Sequence, residues 1–263
     1  VAKVDAAKFE AYWRPLLAQG PIEVLLFGDF DKAAAVAALE KSFGALSPRA
    51  PMPVAAAARN VRFPAPTANP IRLTHRGARD QAAAVMAWPT GGGIAGISEG
   101  RQLETLAAIF RDRLFEKFRA EQAASYSPDM AANWPVNFNS GGYLMAYTQV
   151  KPTDVDRFFA FADSVAADLI AHPVSADELQ RAVEPTKQAI ERAASGNTFW
   201  LNQLKGSTYD PERFAALGTL YSDYNSVTPE ILQALAKRYF VKDKAWKLVV
   251  APQPENTDAA SSR

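Results

Sequence analysis

The chain has 263 residues, 48% of them hydrophobic, with 29 basic against 28 acidic side chains and no cysteine. That is enough apolar material for one generous core or two modest ones, and the even charge leaves no basic footprint for nucleic acid or an anionic membrane. The lack of cysteine excludes disulfides, thiol nucleophiles and thiolate metal sites, but does not decide between cytoplasm and periplasm. No apolar run approaches the roughly 20 residues needed to span a bilayer.

The first twenty residues carry Lys3, Asp5, Lys8, Glu10 and Arg14, so they do not read as a signal peptide, and the chain reads as starting inside a domain. Asp5 suits the N-cap of a helix running to about Ala18, bent at Pro15, with Phe9, Tyr12, Trp13, Leu16 and Leu17 on its buried side and Gly20-Pro21 ending it. Ile22 to Phe27 reads as a mostly buried strand. Gly28-Asp29-Phe30-Asp31 then turns into a helix that Asp29 or Asp31 can cap; it lacks the spaced oxygen donors of a calcium loop. Prolines 48, 51, 53, 64 and 66 surround an alanine run, which marks a linker. The expected organisation is therefore the tail of a preceding domain over 1–45, a linker over 46–68, one complete domain over 69–251 and a disordered tail over 252–263.

Within 69–251, Ile71 to Arg76 and Gln81 to Trp88 read as two strands joined as a hairpin by Gly77 to Asp80. His75 lies on the polar face of the first, as a solvated strand histidine. Pro89 to Gly100 is a glycine-rich loop without the Lys-Ser/Thr of a phosphate cradle; a lid or a plain connection suits it better. A long amphipathic helix follows, with Leu103, Leu106, Ala107, Phe110, Leu114 and Phe118 at steps of three and four.

Arg119 falls in the last turn of that helix, where a cation complements the macrodipole, and Tyr126 follows in an extended segment. A permanent guanidinium beside a phenol would suit a peptide carbonyl or a developing oxyanion. An ion pair of Arg119 with Glu116 or Glu121 is the bland alternative. Met130 to Trp134 and Gly142 to Val150 predict an antiparallel pair. Val155 to Ile170 predicts an amphipathic helix closed at His172-Pro173, and Ser175 with Glu178 a capping box for the next helix, kinked at Pro185. The aromatics between Trp200 and Tyr224, including Tyr209 and Phe214, read as core. Thr228-Pro229-Glu230 starts the last helix and Trp246 to Ala251 forms the last strand. The elements add up to an α+β fold, a mixed or antiparallel sheet with helices packed on one face.

The run Leu114-Phe115-Glu116-Lys117-Phe118-Arg119, with Glu121, Gln122, Ser125, Tyr126 and Ser127, resembles the second, non-catalytic half of the pitrilysin/insulinase family of zinc metallopeptidases. Three further stretches resemble that family in its order: Gly28-Asp29-Phe30-Asp31 through Phe43-Gly44, Leu46 and Pro48; Val174-Ser175 through Glu178-Leu179 to Ala182; and Thr228-Pro229-Glu230 through Tyr239-Phe240 to the last strand. The resemblance implies that Arg119 and Tyr126 contact peptide substrate next to a zinc ion held by the other half.

The active halves carry H-x-x-E-H, and this chain does not: its two histidines, His75 and His172, lie far apart and neither sits in that frame. The resemblance therefore implies a non-catalytic half that binds no cofactor itself. Its expected partners are a zinc-bearing half with H-x-x-E-H and a peptide substrate, with no nucleic acid and no membrane span; family analogy points to the periplasm. The other reading is a degenerate relative serving as a structural or assembly subunit without peptidase activity.

Overall fold

The computed structural model describes residues 4–52, 55–120 and 127–254. Nine helices of regular α geometry are placed among them: α1 (Ala6–Leu17), α2 (Lys32–Lys41), α3 (Ile97–Ala120), α4 (Val155–Ala171), α5 (Ala176–Ala194), α6 (Asn197–Leu204), α7 (Pro211–Gly218), α8 (Leu220–Asn225) and α9 (Pro229–Tyr239). The strands are β1 (Ile71–His75), β2 (Ala82–Gly91), β3 (Asp129–Asn133), β4 (Ser140–Val150) and β5 (Trp246–Pro252). The chain forms two compact units, one from residues 1–58 and 190–217, the other from 59–189 and 218–263.

In the first unit the caps form as their sequences suggest. Asp5 accepts the Lys8 amide at 2.9 Å and Asp31 accepts the Ala34 amide at 2.7 Å, each supplying an oxygen to a free N–H of the first turn. Arg49 closes the far end of α1, its Nε bonding the Gly20 carbonyl at 2.7 Å and its Nη2 the Gln19 carbonyl at 2.6 Å. Burial departs from expectation. Phe9 is 57% and Tyr12 68% exposed, and neither α1 nor α2 buries a residue. Ile22 to Phe27 belongs to no strand among the described residues, and its apolar side chains stay largely exposed. The reason is the same for both: apolar periodicity sets which side of an element can be buried, whereas burial needs a second layer. Tyr209 and Phe214, expected in a core, are exposed as well.

The second unit is a five-stranded sheet in the order β1-β5-β2-β4-β3 with helices on one face. The expected pair of β3 and β4 forms, antiparallel, with Met130 opposite Ala146. The expected hairpin of β1 and β2 does not form. β5 lies between them, parallel to β1 (Leu73 opposite Val250) and antiparallel to β2 (Val85 opposite Leu248). A short turn signal reports that the chain reverses, not that its flanks pair; the long-range ladder to the last strand wins here.

Alternation does the rest. Ala82, Ala84, Met86 and Trp88 on β2, Leu144, Ala146 and Val150 on β4 and Val249 on β5 share one face and are buried. Leu103, Leu106, Phe110, Leu114 and Phe118 of α3 and Phe158, Ala162, Val165 and Leu169 of α4 complete this core, as the helical spacing requires. Trp88 packs edge-on against Phe110 at 6.0 Å and Phe240 at 5.0 Å between ring centres. One charged pair is sealed at its rim: Arg101 of α3 bonds Asp223 of α8 at 2.5 Å with both side chains nearly buried.

The glycine-rich stretch is neither lid nor loose loop. β2 continues to Gly91, and α3 starts at Ile97, before the apolar stripe begins. The glycines form a socket for Trp134, whose indole N–H bonds the Gly93 carbonyl at 2.8 Å. A Cβ at Gly91, Gly96 or Gly100 would stand 2.6, 2.4 or 2.6 Å from the indole, and one at Gly142 would stand 2.2 Å from the Gly91 carbonyl oxygen. Glycine serves here for close approach, not for mobility.

Gly100→Ala in a helix would ordinarily stabilise, because glycine loses more backbone freedom on folding. Here it is expected to destabilise by about 1–3 kcal/mol, because Trp134 has to move. Gly218→Ala, where a Cβ meets nothing within 4 Å, is expected to be neutral or stabilising by about 0.4–1 kcal/mol. Urea unfolding midpoints of the two variants check the pair, and a stabilising Gly100→Ala would contradict the socket.

Candidate functional site

Arg119 sits in the last turn of α3, one residue beyond Phe118, which is buried and edge-on to Phe161 at 5.0 Å. The helix end is thus anchored while the arginine projects, 70% exposed, with Nη1 3.7 Å from a Glu116 carboxylate oxygen. An exposed pair of that length contributes little and gives way readily to a better ligand. Tyr126, the other expected contact, lies outside the described residues, so the geometry of the pair stays an expectation.

The sheet supplies a broader feature. The side chains opposite in parity to the core include Leu73 on β1, Leu248 on β5, Val85 on β2 and Tyr143, Met145 and Tyr147 on β4; they are half-buried or exposed. This second face is apolar with polar ends. Tyr147 donates its hydroxyl to Asp129 of β3 at 2.6 Å, and that bond, with burial and the carboxylate charge, raises the phenol pKa, so Tyr147 stays protonated at neutral pH. Sequence reading placed β4 without sorting its faces. The signal was present in the alternation of Tyr143, Met145 and Tyr147.

The two histidines are occupied locally. His75 accepts the Gly77 amide on Nδ1 at 2.9 Å and faces the Gln81 carbonyl with Nε2 at 2.8 Å, so it organises the turn after β1 and is more than a solvated strand residue. His172, expected to complement the α4 C-terminus, has Nδ1 3.0 Å from Asp168 one turn back. Among the described residues no group of three or more His, Asp or Glu is placed to hold a metal ion. No described helix is long and apolar enough to cross a membrane.

A family profile described as "Peptidase M16 inactive domain" matches residues 3–185. The chain belongs to this family. Among solved structures it is similar to a conserved protein from Enterococcus faecalis (18% identity, TM-score 0.75, covering 97% of this chain and 57% of that one). It is also similar to a peptidase M16 inactive domain from Pseudomonas fluorescens (16% identity, TM-score 0.68, 86% and 53%). A third likeness is to the periplasmic protease PqqL from Escherichia coli (15% identity, TM-score 0.65, 86% and 25%). At these identities the likeness is one of fold, and the chain spans 57% or less of each of the three. No curated protein sequence matches it.

In this inactive domain the α3, α4 and α5 helices also border a cavity of about 730 Å³. Three of its charges, Arg113, Asp168 and Glu178, are tied to one another. Arg113 bonds Glu178 through Nε at 2.8 Å and Nη2 at 3.1 Å, and Asp168 through Nη1 at 2.7 Å. Glu178 also accepts the Ser175 amide and hydroxyl, both at 3.0 Å, while its own amide donates to Ser175 Oγ at 3.2 Å, which completes the expected capping box. The cavity therefore reads as a helix-to-helix brace rather than a ligand site.

The Arg113 hydrogen bond, with the Ser175 amide adding to it, holds the Glu178 carboxyl at about 2, below its ordinary 4.5. A pKa lower in the folded state stabilises the fold above about pH 4.5, and that contribution is lost as pH falls towards 2. Glu178→Gln should cost about 1–2 kcal/mol at pH 7 after solvent screening, with the gap to wild type closing as pH falls through that window. Thermal unfolding of both proteins from pH 7 to 3 checks this, and a pH-independent gap would contradict it.

Proposed function

We propose that this chain is the non-catalytic half of a zinc endopeptidase, enclosing and positioning peptide for hydrolysis by a partner half that carries H-x-x-E-H. The observation that carries the reading is the apolar sheet face opposite the core, half-buried to exposed, in a domain whose family is described as inactive. A contiguous apolar face that stays partly open to water commonly marks a binding surface. A peptide laid across Val85, Met145, Tyr147 and Leu248 would bury its side chains on that face.

Zinc in the partner half would polarise the scissile carbonyl and supply an activated water. Arg119 and Tyr126 would hold peptide carbonyl oxygens, the guanidinium as a permanent charge and the phenol as a neutral donor. Arg119 suits this because its helix end is fixed by Phe118 while its present partner, Glu116, is exposed and distant. A periplasmic setting belongs to the same proposal and draws on the description of the similar E. coli protein.

The Arg119–Glu116 pair is also what a purely structural subunit would show, so the test must separate the two. In the assembled peptidase, Tyr126→Phe and Arg119→Ala are each expected to lower peptide turnover by roughly 100-fold or more, the scale for losing one donor to a developing oxyanion. Steady-state hydrolysis of a fluorogenic peptide measures it. Unchanged turnover in both variants would contradict the proposed role and favour the structural subunit.

A further inference from the structure

The sheet ends, among the described residues, on β1, which pairs along one side with β5. Its orientation can be read from one bond. The His75 carbonyl accepts the Gln253 amide at 3.0 Å, on the β5 side. In an extended strand the N–H and C=O of one residue point the same way and alternate between neighbours. Ile71, Leu73 and His75 therefore turn their backbone groups to β5, and Arg72 and Thr74 turn theirs to the open edge. The edge is apolar above as well as polar along its length, since Ile71 is 43% and Leu73 53% exposed on the same face.

At the C-terminal end of β1 the edge runs into a depression of about 570 Å³ lined by Thr74, His75, Arg76, Arg79 and Gln253 among others. The His75 ring fixes its shape by bridging the Gly77 amide and the Gln81 carbonyl. Charge around the edge is mostly positive: Arg72, Arg76 and Arg79, with Asp80 the acidic residue of the same connection.

We infer that the open edge of β1 takes the extended C-terminal segment of a partner protein, adding as a further strand whose free carboxylate seats in the depression at Arg76. Main-chain bonds to Arg72 and Thr74 give affinity, Ile71 and Leu73 meet alternate apolar side chains, and Arg76 recognises the terminus. With its carboxylate at the Arg76 end, the segment runs parallel to β1 and continues the parallel β1–β5 pairing. A second copy of the chain fits the edge less well, because it would set the same arginines of both copies along one seam. This surface borders the apolar face assigned to substrate through Ile71 and Leu73, but it is recognised by its own groups, the edge backbone of Arg72 and Thr74 and the side chain of Arg76.

Fluorescence anisotropy with the full chain tests the inference, using an N-terminally labelled hexapeptide of alternating valine and threonine with a free C-terminal carboxylate. The acid is expected to bind, and its C-terminal amide to bind about 10-fold more weakly or worse, the loss expected when a charged hydrogen-bond acceptor is removed. Thr74→Pro, which removes an edge N–H, is expected to abolish binding. Arg76→Glu, an exposed change that spares the fold, is expected to erase the preference for the acid. Equal affinity for acid and amide, no binding of either, or an Arg76→Glu variant that keeps the preference would overturn it. So would a dimer in sedimentation that the peptide disperses, which would assign the edge to a second copy.

Discussion

A β-sheet has two faces, and here the helices of its unit take one of them. The side-chain period of two forces the consequence: whatever β2, β4 and β5 spend on the core in Met86, Trp88, Leu144 and Val249, their neighbours must present on the other side. Those neighbours are Val85, Met145, Tyr147 and Leu248, largely apolar where an ordinary solvated face would be charged. The proposed role in peptide binding depends on that asymmetry more than on any single residue.

What holds the asymmetry in place is the packing of α3. Its stripe from Leu103 to Phe118 fills the core face, the aromatic cluster of Trp88, Phe110 and Phe240 ties it to the sheet, and the glycine socket around Trp134 fixes the turn by which β2 reaches it. Charges then brace it sideways, Arg101 to Asp223 of α8 and Arg113 to Glu178 of α5. The reward for function is a rigid helix end. Arg119 leaves a turn whose inward residue is locked, so an otherwise flexible side chain starts from a fixed point.

Elements whose cause is local were legible in the sequence: α4 with its apolar spacing, the Ser175–Glu178 box, the Thr228 cap of α9 and the β3–β4 pair. Non-local choices were not. Nothing near Ile71 says that its neighbour is a strand some 175 residues later, because parallel pairing carries no turn signal. Glycines 91, 96 and 100 read as flexibility until Trp134 is seen among them. Phe9 and Tyr12 carry the right period for burial but meet no covering layer. Of the candidate site, Arg119 was found by its place in a helix and a motif; the sheet face needed only the parity of β4, which is present in the sequence but gains meaning once the helices are known to lie on the other side.

Photocrosslinking of an uncleavable peptide in the assembled peptidase would report which surface of this chain the peptide lies on. The peptide carries a photoreactive group at successive positions, and the adducts on this chain are mapped by mass spectrometry. Adducts are expected on the apolar sheet face, at Val85, Met145, Tyr147 and Leu248, with a further adduct near Arg119. Adducts confined to the outer surfaces of α4 and α5, or found only on the partner half, would contradict it.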